Sequence, residues 1–372
     1  MTARFEAESR DYLDVQHTLA VNSGTSALVV ALAGVGVGPG DEVLVPAYTW
    51  VSTAAAPLAL GAVPVLVEVD ESLMMDPVDL ERRITPRTRA IAPVHMLNLV
   101  ADMDSITAVA ARYGLAVVED ACQAFGVRYR GRRVGTIGSA GAFSFGQTKN
   151  ISSGEGGLLA TADDRVAARA GMLHDVGSYT RTSWTPTAEP LFVGMNLKMS
   201  ELASSVLLPQ LARLDRHLAR TAAARQIMVE ELGKEASIRI TPHHSPDEAI
   251  GLAVTFDDPE DARWFASQPG VDRLIETGRH VYLNWESIRG RRSFDPRFDP
   301  YGWAGRESAQ RLDESSHPQT LDILARTCRI HMRPRLPLPA ARMLARRMAE
   351  YRTRVERPQR VDITKVETVA VR

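Results

Sequence analysis

Residues 19 to 130 alternate between apolar runs and helix-like stretches, and this alternation constrains the fold more than any other feature of the chain. The apolar runs are typical of buried strands, and they are DEVLVPAYTW, VPVLVEVD, TRAIAPVHM and GLAVVEDA. Helix-like stretches such as STAAAPLALG and DSITAVAARYG lie between them. Strands separated by helices predict βαβ units, and therefore an α/β fold with a mostly parallel, doubly wound sheet. Ligands of such sheets bind at the carboxyl ends of the strands.

The first helix is predicted in SGTSALVVALAGVG, with Ser23 and Thr25 near its start and glycines at its end. The following run GVGVGPG, residues 34–40, has the composition of a dinucleotide-binding fingerprint. That fingerprint must follow a strand and open a helix, whereas this run follows a helix and precedes a strand. We therefore interpret it as a turn.

The chain length of 372 residues suggests about two domains. Residues 199–232 predict a long helix that Pro209 should kink or split. We expect a large domain at 1–234 and a smaller C-terminal α/β domain at 235–372. Within the smaller domain, SIRGRRSFDPRFDPYGWAGRES predicts a long loop, and the charged tail after Tyr351 predicts a frayed end.

Composition narrows the classes of function. The net charge is -1, and no basic block is interleaved with aromatic residues, so we expect no nucleic-acid partner. No apolar run reaches about 18 residues, which predicts no membrane span. The N-terminal MTARFEAESRDYL lacks the apolar core of a secretory signal. Cys122 and Cys328 form no disulfide framework or metal-ligand spacing, so we expect a cytoplasmic protein without a metal.

One lysine stands out in FSFGQTKNISSGEGG, residues 143–157. Of the 44 lysines and arginines, only four are lysines, and they are Lys149, Lys198, Lys234 and Lys365. Arginine can serve in ion pairs and solubility, but only lysine has an amine that can lose its proton and form a Schiff base with a carbonyl. Lys149 could be an ordinary solvated lysine, but its position between an apolar strand and a glycine-rich turn favours the chemical role.

A lysine Schiff base with pyridoxal 5'-phosphate (PLP) requires three further groups. The ring nitrogen needs a carboxylate, and Asp120 ends a predicted strand, although it could instead cap a following helix. The phosphate needs N–H and hydroxyl donors, best supplied at a helix N-terminus. The ring face needs an apolar or aromatic platform, and Trp50 could provide one unless it belongs to the core. Gln123 could donate to the ring's 3-oxygen. The candidates at the phosphate are Gly24, Thr25, Ser26 and Ser144.

The chain resembles the DegT/DnrJ/EryC1/StrS aminotransferases, also called the sugar aminotransferases, which are fold type I PLP enzymes. The resemblance covers residues 19–215 and rests on VNSGTSAL, VPAYTWVSTAAAPLALGAVPVLVEVD, PVHM…ADMD, VVEDACQAFG, GAFSFGQTKNISSGEGG and GMNLKMSELASSVLLPQLARLD. It implies PLP as cofactor, Lys149 as the Schiff-base lysine, Asp120 at the pyridine nitrogen and Gln123 at the 3-oxygen. The other cofactor contacts that it implies are Trp50 on the ring and Ser144, Gly24, Thr25 and Ser26 at the phosphate.

The resemblance also implies a homodimer with shared active sites, because Asn196 in GMN would reach the neighbouring subunit's phosphate. In TGRHVYLNWESI, His280 and Tyr282 would border the acceptor pocket. The chain departs from the usual family pattern at four positions, which are Gly146 in place of His or Gln, Lys198 in place of Arg, Asn98 in place of Gly, and Trp285 in place of His.

The expected reaction is a transamination. L-glutamate or L-glutamine would give its amino group to a cyclic ketone, either a keto-sugar nucleotide or a cyclitol ketone, in natural-product or amino-sugar biosynthesis. One alternative is a PLP-dependent dehydratase of the same fold, in which histidine typically replaces the lysine, or another PLP reaction such as oxidation or decarboxylation. A second alternative is a non-catalytic regulator with the same fold, which the intact lysine, aspartate and phosphate loop disfavour.

Overall fold

The protein is described by a computed structural model that covers residues 1–177, 190–305, 312–332 and 336–351. The tail after Tyr351, which the sequence predicts to fray, lies outside these residues. Within the described residues, no helix combines the length and apolar character needed to cross a membrane.

The first part of the chain builds a large α/β unit. Its strands are β1 (His17–Val21), β2 (Glu42–Pro46), β3 (Val63–Val67), β4 (Thr88–Ile91), β5 (Ala116–Asp120), β6 (Arg128–Tyr129), β7 (Arg132–Arg133), β8 (Ala140–Ser144) and β9 (Gly157–Thr161). Its helices are α1 (Thr2–Leu13), α2 (Gly24–Gly34), α3 (Ser52–Ala59), α4 (Pro77–Arg82), α5 (Met103–Tyr113), α6 (Asp164–His174), α7 (Glu201–Leu211) and α8 (Leu214–Leu232).

Seven of these strands form one sheet in the order β1-β9-β8-β5-β4-β2-β3. Only β9 runs against its neighbours, while β8, β5, β4, β2 and β3 pair in parallel. The predicted mostly parallel sheet is therefore confirmed. In the β5–β8 pair, Asp120 lies beside Ala142, so the ends of these two strands reach the same edge of the sheet.

Helix α2 forms where the sequence predicts it. The Ser23 hydroxyl oxygen accepts a hydrogen bond from the Ser26 N–H at 3.1 Å and caps the helix. Nearly every α2 residue after Ser26 is buried, as expected for a helix between a sheet and other helices. Residues 35–41 then turn into β2, which confirms that GVGVGPG is a turn and not a nucleotide fingerprint.

The long helix predicted at 199–232 is split into α7 and α8, as the proline suggested. Pro209 lies inside α7, and the break follows at residues 212–213. Met228 and Leu232 of α8 pack into the apolar core of the C-terminal part of the chain. The domain boundary at 234/235 stays a prediction, since this packing joins α8 to the core of the C-terminal part.

The C-terminal part contains an antiparallel sheet of four strands in the order β10-β11-β13-β12. Its strands are β10 (Arg239–Ile240), β11 (Leu252–Thr255), β12 (Val271–Arg273) and β13 (Thr327–Ile330). Its helices are α9 (Pro259–Ala266), α10 (Glu286–Arg289), α11 (Pro300–Trp303), α12 (Pro318–Arg326) and α13 (Leu338–Ala349). The loop predicted around residues 287–308 is interrupted by the short helices α10 and α11 over its described residues.

Residues 274–305 return to the large sheet. Tyr282, Trp285 and Ile288 belong to the same buried cluster as the apolar residues of α2. Val281 forms an isolated β-bridge with Tyr48, just after β2. This return places the His280 segment beside the carboxyl edge of the parallel sheet.

Candidate active site

Asp120 is the last residue of β5 and is buried at the carboxyl edge of the sheet. Its Oδ2 accepts a hydrogen bond from the Thr53 hydroxyl at 2.7 Å, and its Oδ1 accepts one from the Cys122 N–H at 3.1 Å. Residues 121–127 contain no helix, so Asp120 is not a helix cap. The two hydrogen bonds hold the carboxylate in a fixed orientation at the place where ligands of parallel sheets bind.

Lys149 is half-buried on the loop that follows β8. Its backbone N–H donates to the Gly146 carbonyl at 3.2 Å, but its Nζ has no hydrogen-bond or ion-pair partner within the described residues. Burial and the Asp120 charge raise the pKa of the Cys122 thiol, and the nearby Lys149 charge opposes them. The loop that carries Lys149 starts where β8 ends, and β8 pairs with β5 beside Asp120.

The start of α2 offers donors to an anion. The backbone N–H groups of Gly24 and Thr25 have no acceptor within the described residues, as expected for the first turn of a helix. The Thr25 hydroxyl donates to Ser52 and the Ser26 hydroxyl donates to Asn22, at 2.8 and 2.6 Å. Donation to an anion would therefore fall to the backbone N–H groups.

Gly24 packs directly against the end of β8. A Cβ atom at Gly24 would lie 2.7 Å from Ser144 Cβ, 3.0 Å from Cys122 Sγ and 3.1 Å from Ser144 Oγ. The absence of a side chain therefore brings the α2 N-terminus and the Ser144 hydroxyl into contact. Three of the predicted site residues, which are Gly24, Ser144 and Asp120, meet at this edge of the sheet, and the loop that carries Lys149 starts here.

Trp50 and His280 line another side of the site. Their ring centroids are 5.1 Å apart with an interplanar angle of 60°. Trp50 is 39% exposed, so it is not a core residue. His280 Nδ1 lies 3.0 Å from the Thr277 carbonyl, which can only accept, so Nδ1 carries the proton. Burial lowers the pKa of His280, and the Lys149 charge also lowers it, so the imidazole is neutral near pH 7.

Gln123 reaches the site through a turn. Its Oε1 accepts a hydrogen bond from the Leu97 N–H at 3.1 Å, and its Nε2 contacts Met96 Sδ at 3.5 Å. Sulfur is a weak acceptor, so the amide nitrogen keeps the capacity to donate to a ligand oxygen.

Three residues that the sequence analysis singled out have surroundings that it did not foresee. Tyr282 is fully buried, and its hydroxyl donates to the Asp313 carbonyl at 2.7 Å, so its side chain offers no surface to a substrate. Trp285 is also buried, and its ring N–H donates to the Arg279 carbonyl. Asn196 is exposed, and the backbone N–H of Asn22 donates to the carbonyl of Leu197, the residue after Asn196, at 2.8 Å. The Asn196 segment therefore runs beside the start of α2 in its own chain.

Sequence reasoning missed the residues that support Asp120. Thr53 carries no motif that marks it as a carboxylate donor. Glu119 precedes Asp120, but successive residues of a strand point to opposite faces of the sheet. The Glu119 carboxylate accepts hydrogen bonds from the His95 ring and from the Gly135 and Gly138 N–H groups. Burial alone would raise the pKa of Glu119, but these hydrogen bonds lower it overall. This buried cluster anchors the loop that leads into β8.

The residues at this edge fit the parts of PLP. A buried carboxylate matches the ring nitrogen, unpaired N–H groups at a helix start match the phosphate, and an unpaired amine matches the carbonyl. The contact made possible by Gly24 leaves no room for a side chain between the helix start and Ser144. The described residues contain no group of three or more His, Cys, Asp and Glu side chains that could hold a metal ion.

We expect Gly24→Ala to weaken PLP binding about tenfold and to lower stability by about 1–3 kcal/mol, because the new Cβ overpacks against Ser144 and Cys122. Equilibrium titration with PLP and thermal unfolding would measure both effects. Gly38→Ala is the matched control, since a Cβ there would meet nothing within 4 Å. Wild-type PLP affinity in Gly24→Ala would show that the α2 start does not contact the cofactor.

The sequence profile described as the DegT/DnrJ/EryC1/StrS aminotransferase family matches residues 1–272. A GDP-perosamine synthase of Caulobacter vibrioides is 44% identical over 58% of this chain and 57% of its own length. An L-glutamine:2-deoxy-scyllo-inosose aminotransferase of Micromonospora echinospora is 42% identical over 62% of this chain and 56% of its own length. The matched regions thus span less than two thirds of these relatives. The crystal structure of S. venezuelae DesV in complex with a ketimine intermediate is similar over 95% of this chain and 90% of that chain, with a TM-score of 0.77 and 34% identity.

Proposed function

This chain belongs to the DegT/DnrJ/EryC1/StrS aminotransferase family, and we propose that it is a PLP-dependent aminotransferase acting on a cyclic ketone. The observation that carries the proposal is the Lys149 amine, which has no hydrogen-bond or ion-pair partner within the described residues. Its loop starts at the end of β8, beside the end of β5 where the buried carboxylate of Asp120 lies. A surface lysine with a structural role would pair with a carboxylate, as Lys234 does with Glu231 at 2.8 Å.

When bound, PLP supplies a carbonyl that bonds an amine and a ring that accepts electrons. Asp120 Oδ1 and Oδ2 are held by Cys122 and Thr53, so the carboxylate is oriented to keep a proton on the ring nitrogen. The Gly24 and Thr25 N–H groups and the Ser144 hydroxyl would hold the phosphate. Lys149 Nζ would bond the carbonyl of PLP and would move a proton at the substrate carbon.

Trp50 and His280 are the remaining site residues to which we assign a role. Trp50 would provide an aromatic platform for a face of the ring. His280 presents a neutral imidazole whose Nδ1–H donates to the Thr277 carbonyl. Nε2 is therefore the ring nitrogen that can accept a hydrogen bond from a hydroxyl of the ketone substrate. We assign no substrate contact to Tyr282, because its hydroxyl is bonded inside the core.

The substrate classes follow from the relatives. One relative is named for a nucleotide sugar and another for L-glutamine and a cyclitol ketone. We infer that the donor is L-glutamine or L-glutamate and that the acceptor is a keto-sugar nucleotide or a cyclitol ketone. Amino-sugar or natural-product biosynthesis, such as antibiotic biosynthesis, would use such a reaction. A cytoplasmic location stays a prediction.

The test separates the two halves of the reaction. Each amino donor is added to the PLP-loaded protein, and loss of the visible absorbance reports transfer of the amino group to the cofactor. The aminated protein is then challenged with keto-sugar nucleotides and cyclitol ketones, and return of the absorbance identifies the acceptor. Loss of water from a sugar without amino transfer would instead indicate the dehydratase. No spectral change with any donor would contradict the aminotransferase.

We also propose a homodimer in which Asn196 reaches the partner's phosphate site. Several apolar side chains within ten residues of Asn196 in the sequence are exposed, and they are Leu191, Val193, Met195, Leu202 and Val206. An apolar surface of this kind favours burial against a second protein. Because the Asn196 segment also lies beside α2 of its own chain, an experiment must decide which of the two sites it serves.

Mixed dimers of Lys149→Ala and Asn196→Asp chains should regain activity. Asp at position 196 repels the phosphate, so each parent is nearly inactive. If Asn196 serves the partner, one site of the mixed dimer carries both changes and the other is native. Activity should approach half that of wild type per mixed dimer, measured after co-expression and purification by two different tags.

If Asn196 serves its own chain, neither site of the mixed dimer is native. Activity equal to the mean of the two parents, in dimers shown by mass spectrometry to be mixed, would contradict the shared site. Single-tag purification of each parent provides the baseline.

A further inference from the structure

Two consecutive residues in the segment that follows β4 adopt a left-handed backbone conformation. Leu97 has φ 57° and Asn98 has φ 60°, although neither is glycine. Asparagine tolerates this conformation better than most residues, but leucine does not. A turn that keeps such a conformation is held by its surroundings, and both residues make contacts with the candidate site.

The turn bonds to the site at two points. The Leu97 N–H donates to Gln123 Oε1 at 3.1 Å. Asn98 Oδ1 accepts a hydrogen bond from Asn150 Nδ2 at 2.8 Å. Asn150 directly follows Lys149 in the chain, so the second bond reaches the loop that carries the reactive amine.

Asn150 is held between two acceptors. Its Nδ2 donates to Asn98 Oδ1 and also to the Phe125 carbonyl at 3.0 Å. Lys149 Nζ has no hydrogen-bond or ion-pair partner within the described residues, so the backbone of its loop contributes strongly to where the amine points. The bonds closest to Lys149 in this loop are its own N–H to the Gly146 carbonyl and the two bonds of Asn150, and bonds at Ser152 and Ser153 hold the loop further on.

The turn is fixed from the other side by the C-terminal part. A Cβ atom at Gly251 would lie 2.1 Å from the Leu97 carbonyl oxygen, so the backbone of residue 251 packs directly on the turn. Arg225, which is buried, donates to the Gly251 carbonyl at 2.7 Å and holds that contact in place. Asn98 therefore presents its side chain from a rigid position.

We propose that Asn98 is a positioning residue for Lys149, acting through Asn150. Asparagine combines the left-handed backbone with a side-chain acceptor, whereas glycine would keep the backbone and lose the acceptor. The inference rests on the proposed function, because it assumes that Lys149 bonds the carbonyl of PLP.

The test compares two forms of the cofactor. PLP bonds Lys149, but pyridoxamine phosphate cannot, since it carries an amine in place of the carbonyl. In Asn98→Gly we expect the affinity for PLP to fall about fivefold, within the two- to tenfold range of one net hydrogen bond, while the affinity for pyridoxamine phosphate is unchanged. Asn98→Asp keeps an acceptor and should restore the wild-type ratio of the two affinities.

Asn150 provides the coupling control. In an Asn150→Ala background, Asn98→Gly should cause no further loss of PLP affinity, because the shared bond is already absent. An equal loss of affinity for both cofactor forms, or no loss for either, would overturn the inference. Failure of Asn98→Asp to restore the ratio would also overturn it. If wild-type protein formed no bond between PLP and Lys149, the proposed function would fall first, and this inference with it.

Discussion

A Lys149→Arg variant should lose transamination by about a thousandfold or more. Arginine keeps the positive charge and much of the length, but its guanidinium does not lose a proton in proteins and cannot form a Schiff base. Proton transfer by a positioned side chain alone contributes roughly a hundred- to ten-thousandfold. The measurement is the rate of donor-dependent spectral change under single-turnover conditions.

Lys234→Arg is the matched control for this prediction. Lys234 is 63% exposed and pairs with Glu231, and arginine can make the same ion pair. We expect its activity to equal that of wild type. If Lys149→Arg stayed within tenfold of wild type while remaining folded, Lys149 would not be the reactive lysine.

Asp120→Asn should bind PLP but lose about a hundredfold or more in the rate of the donor half-reaction. A charge pair at about 4 Å contributes about 4 kcal/mol at an effective dielectric near 20, and a neutral amide removes it. The asparagine can still accept from the Cys122 N–H, and the Thr53 hydroxyl, which donates to Asp120 in the wild type, can rotate to accept from the new NH2 group. The loss should therefore appear mainly in the rate and not in folding.

Asp163→Asn separates this effect from the general loss of a carboxylate. Asp163 caps α6 and accepts from the Arg165 and Val166 N–H groups, a role that asparagine also performs. Its activity should be unchanged. Near-normal turnover of Asp120→Asn would show that the buried carboxylate is structural.

The sequence was sufficient for the parts of the site that depend on local order. The alternation of strands and helices predicts the parallel sheet, and the ends of β5 and β8 place Asp120 and Ser144 at its carboxyl edge. The cap at Ser23 predicts the start of α2. Each of these features needs only residues that are close in sequence.

Features that depend on distant contacts were not predictable. DEVLVPAYTW suggested one strand, but β2 ends at Pro46, because the next residues pair with the returning segment near Val281. The same return buries Tyr282, which a sequence motif alone placed at the pocket. TRAIAPVHM also suggested one strand, yet β4 ends at Ile91 and the chain proceeds to the left-handed turn at Leu97 and Asn98.

The most direct test of the account is to locate the cofactor on the chain. We expect the purified protein, loaded with PLP, to be yellow, and borohydride reduction should fix the cofactor to Lys149. Trypsin cannot cut after a modified lysine, so the label should appear on a peptide spanning residues 134–165 with Lys149 uncut. Label on Lys198 or Lys234, or protein that remains unlabelled although PLP is bound, would contradict the assignment of Lys149 as the reactive residue.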